Sequence, residues 1–168
     1  MKTYKLNDLN NPLISVLMPA YNAEKYIKEA IESILNQTFS NFEFIIIDDG
    51  SIDATEEIIK SFKDSRIVYI KNEKNLGLIK TLNKGISIAR GEFIARMDSD
   101  DISMPQRFEL QLDVFKKYKG VDIVNVALKK MSEDGTKLSK YRHNIYPGFE
   151  AIHYLINIDT FIVHPGVL

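Results

Sequence analysis

Asp98, Asp100 and Asp101 fall within four consecutive positions, directly after the apolar run "EFIARM". At about 6 Å apart, each pair of such charges costs roughly 0.7 kcal/mol in water and about 3 kcal/mol at an effective dielectric of 20. A divalent cation relieves that repulsion. Carboxylates crowded at the end of a strand are oxygen ligands for a hard ion such as Mg²⁺ or Mn²⁺. These ions keep positions open for water or phosphate oxygens, so a diphosphate is the expected co-ligand. The ion's chemistry would be that of a Lewis acid neutralising a departing phosphate. The same acids would equally form a solvated turn ahead of a helix started by Met104-Pro105, with Ser103 as its cap. Asp101 suits a capping or supporting role better than a ligand's.

Other polar clusters suit a nucleotide. Tyr21 offers an aromatic face for a base, or core packing. Asp48 and Asp49 offer acceptors for a base N–H or a ribose hydroxyl, or Asp48 satisfies the N–H groups of its own loop. Gly50 permits a close backbone turn. Lys80, early in a predicted helix, could meet a phosphate as a point charge or simply be solvated. Arg107 could pair with an Asp of the acidic cluster or sit on the surface. His164 beside Pro165 invites a metal assignment, but three scattered histidines lack ligand spacing. No G-x-G-x-x-G and no G-x-x-x-x-G-K-[ST] is present, which removes most support for dinucleotide oxidoreductases and P-loop ATPases.

These clusters need a scaffold, and two alternating periodicities supply it. Apolar runs at 13–18, 42–47, 66–70 and 92–97 predict strands. Between them, residues repeating at three and four predict helices: Tyr26 to Leu35, then Ile58, Ile59 and Phe62 after an Asp53/Glu56 capping box. A third helix follows Asn75, carrying Leu78, Ile79, Leu82, Ile86 and Ala89 at helical spacing and closed by Gly91. Phe108, Leu112 and Phe115 mark a fourth, through about Tyr118. "VDIVNVALKKM" reads as a strand turning at Asp134-Gly135. The expected fold is α/β: a Rossmann-like, mostly parallel central sheet with helices on both faces. Ligands of such sheets bind outside the carboxyl ends of the strands, so "PAYN" (19–22), "DDGS" (48–51) and "DSDD" (98–101) should share one edge.

The bulk properties narrow the field further. The 168 residues suit one domain, with a polar lead-in at 1–12 and the folded domain over 13–168. Lys plus Arg number 22 against 23 Asp plus Glu, a balance that gives no nucleic-acid surface. Cysteine is absent, which excludes disulfides and thiolate metal sites and suits a reducing compartment. The polar N-terminus lacks a signal peptide's apolar stretch, so the expected location is cytoplasmic, with peripheral association at the inner face of a membrane left open. Oligomeric state is not readable; an exposed sheet edge at 121–141 could pair with another chain.

"ISVLMPAYN" (14–22), "IIIDDGSIDAT" (45–55), "NLGLIKTLNKGI" (75–86) and "GEFIARMDSDDISMPQR" (91–107), in this order and spacing, resemble the nucleotide-binding half of family-2 glycosyltransferases, which have the GT-A fold. The "ARMDSDD" wording is similar to bacterial members that build surface polysaccharides. The resemblance implies transfer of a sugar from a nucleoside-diphosphate sugar, UDP-linked, to a hydroxyl of a saccharide or lipid-linked saccharide, with inversion. It places Asp98-Ser99-Asp100 at the family's D-x-D motif, with Asp100 the metal ligand and Asp98 near the ribose or the metal. By the same carry-over Tyr21 stacks on the base, Asp49 binds it, and the backbone of Pro19 and Ala20 lines its pocket. Thr81-Leu82-Asn83 departs from the pattern, since many members carry Arg before that Asn; Lys80 and Arg96 are the substitutes at hand. The general base of inverting members lies beyond a segment resembling "FIVHPGVL" (161–168), and is therefore expected past Leu168. Two alternatives stay open: a nucleotidyltransferase of similar fold, which usually opens on a Gly- and Arg-rich loop unlike "PAYNAEKY", and a nucleotide-binding fragment without turnover.

Overall fold

A computed structural model of the protein describes residues 12–126 and, as backbone, 129–131 and 138–140. The elements run β1 (Ile14–Ala20), α1 (Ile27–Leu35), β2 (Phe42–Asp48), α2 (Thr55–Ser61), β3 (Ile67–Lys71), α3 (Leu78–Ile88), β4 (Phe93–Arg96), α4 (Arg107–Lys117), β5 (Lys129–Met131) and β6 (Leu138–Lys140). The first four strands form one parallel sheet in the order β3-β2-β1-β4. β5 and β6 pair antiparallel, as a turn at Asp134-Gly135 requires, although the turn itself lies outside the described residues.

β2 is buried along its whole length because it is central and covered on both faces, which is why "FEFIII" reads as an unbroken apolar run. Alternation sorts its side chains. Phe42, Phe44 and Ile46 join Ile14, Val16 and Met18 of β1 beneath Ile27, Ile31 and Ile34 of α1, Ile59 of α2 and Phe108 of α4. Ile45, Ile47 and Leu17 face the other side, under α3. Each Ile or Phe so buried is worth roughly 1.5–3 kcal/mol of transfer free energy.

Three sequence expectations are corrected, and the helical spacing of α3 does not mark a buried stripe: Leu78, Ile79 and Ile86 are exposed, whereas Thr81 and Gly85 face the sheet. The helix packs so close that a Cβ on Gly85 would lie 3.2 Å from Leu17 and Ile47, so only small residues fit at the contact. Gly91 does not close that helix. It runs against β1, where an added Cβ would come within 2.4 Å of the Ser15 amide nitrogen. The Asp53/Glu56 box does not form, because Glu56 pairs instead with Lys60 and Lys71. Residues 121–126 are irregular, so the predicted strand there begins only at Lys129.

Beneath α3, Glu43 anchors the start of β4. Its carboxylate accepts from Ser15 Oγ at 2.6 Å, from the Arg90 amide at 2.7 Å and from Arg90 Nε at 2.9 Å. Burial alone would raise its pKa; these bonds from Ser15 and Arg90 outweigh that and hold it below the ordinary value.

Candidate functional site

All four strands of the sheet point the same way, so "PAYN", "DDGS" and "DSDD" do emerge on one edge. The chain runs from β1 outward to β2 and β3, then returns to β4 on the far side of β1. The reversal makes the β1/β4 gap the topological switch point, where open α/β sheets hold ligands. Pairing of β1 with β4 stops at Leu17–Arg96, whereas pairing with β2 continues to Ala20–Asp48. Beyond Leu17 and Arg96 the two strands part, so Pro19-Ala20-Tyr21 and Asp98-Ser99-Asp100 continue as separate segments from the same sheet edge.

The β1 wall is built by two loops that bond to each other. Asn22 takes a left-handed conformation at φ 49°, its amide donates to Ser51 Oγ, and its Oδ1 accepts from the Ile52 amide. Next to it the Ala23 amide donates to Thr55 Oγ1, the Glu24 amide to Asp53 Oδ2, and the Ala54 amide to Glu24 Oε2. Asp53 also accepts from the Thr55 amide, so it ties the loop as well as the first turn of α2. Tyr21, at the end of β1 beside this interlock, is half exposed and so does not fill core. Sequence reasoning missed Asn22 and Ser51; the signal was their adjacency to Tyr21 and Gly50 at two strand ends.

Asp48 and Asp49 divide their work. Asp48, fully buried, accepts from the Ser51 amide and from the Tyr69 hydroxyl, the loop-satisfying alternative. Asp49 is also buried and accepts from Asn72 Nδ2 at 2.7 Å and from the Leu76 and Gly77 amides at 2.9 Å. Burial pushes its pKa up, and these donors together with Thr81 pull it further down, so it stays ionised. Asp49 thus holds the loop leading into α3. A base N–H would meet whatever acceptor capacity the carboxylate retains. Gly50, at φ 77°, lets that loop pass: a Cβ there would sit 2.7 Å from the Lys74 carbonyl carbon. Thr81 is wholly buried against Asn72, and Lys80 is exposed with no described bond to the other predicted site residues.

At the β4 tip the three acids differ. Asp100 is exposed, and Asp98 accepts from Arg96 Nη2 at 2.7 Å. Asp101 is partly buried, and its Oδ2 has no hydrogen-bond partner among the described residues. Burial first, then the charges of Asp98 and Asp100, push its pKa up to about 6, against the pull of Arg107 and Arg96. Of its two alternatives Arg107 takes the one with the acidic cluster: it is buried, interacts with the Asp101 charge, and donates from Nη2 to the Arg96 carbonyl at 2.9 Å and from Nε to Gln111 at 3.2 Å. Burial draws its guanidinium down to about 10. Ser103 does not cap α4; its amide donates to Ser33 Oγ and its hydroxyl accepts from Gln37 Nε2, tying the acidic loop to the end of α1. His164 lies outside the described residues.

Does this tip suit a divalent ion? Among the described residues no three His, Cys, Asp or Glu side chains converge as a ready cage. One or two carboxylates at a strand end, beside a partly buried acid whose Oδ2 has no hydrogen-bond partner among the described residues, fit an ion such as Mg²⁺ that completes its shell with water and phosphate.

The four-stranded parallel sheet with helices is an α/β architecture, and its solved neighbours are GT-A glycosyltransferases. The chain belongs to glycosyl transferase family 2, whose family model matches residues 15–167. An uncharacterized glycosyltransferase of Methanocaldococcus jannaschii is 40% identical over 97% of this chain and 57% of its own length. An Escherichia coli relative, named as the UDP-Glc:alpha-D-GlcNAc-diphosphoundecaprenol beta-1,3-glucosyltransferase WfgD, is 37% identical over 70% of this chain and 49% of its own. The crystal structure of Staphylococcus aureus TarS residues 1–349 in complex with UDP-GlcNAc superposes with a TM-score of 0.63 at 30% identity, covering 71% of this chain and 34% of that one. The chain thus spans about half the length of these curated relatives. No described helix is long and apolar enough to cross a membrane.

Proposed function

We propose that the protein transfers a sugar from a nucleoside-diphosphate sugar, UDP-linked, to a hydroxyl of a saccharide or lipid-linked saccharide, with inversion and with Mn²⁺ or Mg²⁺ at the β4 tip. One observation supports the reading: Tyr21, the Asp49 loop and the Asp98–Asp100 tip all follow the carboxyl ends of strands in one parallel sheet whose order reverses at β1. The names of the relatives support it, since one acts from UDP-Glc on a lipid-linked sugar and one binds UDP-GlcNAc. Tyr21 would stack on the base, with Pro19 and Ala20 backbone lining the pocket and Asp49 accepting from the base. Asp100, with Asp98 beside it, would hold the ion, and Ser99 would border the donor. When bound, the ion supplies charge neutralisation for the leaving diphosphate. Lys80, exposed early in α3, adds a solvated positive charge on the diphosphate's side. The acceptor's general base is assigned to none of the described residues. The reading extends to surface-polysaccharide synthesis at the inner face of a membrane, supported by the diphosphoundecaprenol-linked acceptor in the E. coli relative's name.

Calorimetry of UDP binding with Mn²⁺ tests this reading. Asp100→Ala should abolish metal-dependent binding while leaving the melting temperature in place, because the side chain is exposed. Unchanged UDP affinity in that variant would overturn the assignment.

A further inference from the structure

α3 turns Thr81 and Gly85 to the sheet and keeps its larger apolar side chains outside. Ile79 is 76% exposed and Ile86 53%, with Leu82 partly buried between them, so the three form a stripe at helical spacing. Single exposed apolar residues are ordinary, but a contiguous stripe calls for a partner. The stripe also has a direction. Lys84 donates to Asn72 Oδ1, just past the end of β3, so its flank of the helix is the β3 side. Residues two apart on a helix stand nearly opposite, so Leu82, with Ile79 and Ile86 beside it, is turned toward β4. There the smaller core of Leu17, Ile45 and Ile47 ends in Ala89 and Ile94, both only partly buried. Among the described residues no strand pairs with β4 on its outer side. That layer of the core is unfinished at one place.

The sequence supplies what would finish it. The stretch from Phe149 to Val163, "FEAIHYLINIDTFIV", is mostly apolar and needs burial of its own. Its charges are those of Glu150 and Asp159, with no Lys or Arg, whereas α3 carries Lys80 and Lys84 and no acid. It also falls within the family match, which spans residues 15–167. We propose that residues 149–163 of this same chain dock on the Ile79–Leu82–Ile86 flank of α3, beside β4. The docking is independent of what the site binds.

The chain has no cysteine, so one introduced thiol reports the cover. Ile79→Cys and Ile86→Cys, in the full 168-residue chain, are timed with a water-soluble disulfide reagent. Ile52→Cys, at a position 89% exposed, is the open reference, and each rate is divided by its own value in denaturant. Both α3 thiols should react roughly tenfold or more slowly than the reference, because the docked segment must open first. The rates should not depend on protein concentration. Adding Ile156→Asp, which puts a charge into the apolar stretch, should bring both up to the reference. Reaction as fast as the reference would overturn the inference. So would protection that grows with protein concentration, the mark of a second copy, or that appears only with anionic phospholipid vesicles. Protection that survives Ile156→Asp would overturn it too. If that variant does not fold, p-benzoylphenylalanine in place of Ile79 decides. Photo-adducts to peptides of 149–163 within one chain support the docking; adducts elsewhere, between copies, or none overturn it.

Discussion

Asp101→Asn should stabilise the metal-free protein. The carboxyl is raised from 3.8 to about 6 by burial and by the charges of Asp98 and Asp100. A folded pKa above the unfolded one means that the folded state holds its proton to higher pH. The associated stability is complete below about pH 4, and is lost as the pH rises through about 6. A rise from 3.8 to about 6 corresponds to at most about 3 kcal/mol held against the ionised side chain at neutral pH. Loop relaxation will reduce that figure. In a chain of this size 1 kcal/mol moves the melting temperature by roughly 2–4 °C. Thermal unfolding in EDTA from pH 4 to 8 should therefore show the variant gaining several degrees over the native protein above pH 6. The gain should vanish near pH 4, where both side chains are neutral. Saturating Mn²⁺ should narrow the gap by neutralising Asp98 and Asp100. Parallel curves at every pH, or a variant less stable at pH 7.5, would refute the idea that burial and the neighbouring acids disfavour the ionised Asp101.

Two further substitutions probe the scaffold. Gly91→Ala should cost several kcal/mol or prevent folding, because its methyl group would meet β1 backbone at 2.4 Å, and circular dichroism of the purified variant reads this directly. Glu43→Gln should lower stability by about 1.5–3 kcal/mol at pH 7, since it removes a charged acceptor from Ser15 and Arg90. Glu43 is held below its ordinary pKa, so its contribution is present above about pH 4.5 and lost as the pH falls through the lower folded value; denaturant titrations of the two proteins should converge progressively as the pH is lowered below 4.5.

The strands were legible because β1, β2 and β4 lie in a sheet covered on both faces, where burial writes itself as apolar runs. α1 was legible for the complementary reason: one face meets the core, and Ile27, Ala30, Ile31 and Ile34 fall on it. α3 misled because close packing rewards small residues, so Thr81 and Gly85 mark the contact while larger neighbours advertise the wrong face. Glu56 misled because local spacing fits a cap, yet Lys71 on an adjacent strand competes for the same carboxylate and wins. The convergence of the three polar clusters followed from strand direction alone. The division of labour between Asp48 and Asp49 did not, since it depends on which side of the β2 tip each side chain leaves. Arg107 was ambiguous for a similar reason: a charge becomes a buried one only through its tertiary partners.

The bonds between the 20–24 and 51–55 loops carry a consequence for how a nucleoside would be received. Each segment serves as the other's scaffold, and Asn22 is kept in its uncommon conformation by a neighbour thirty residues away. A visiting base would then find its seat already shaped, with the entropy of arranging it spent when the chain folded rather than at each encounter.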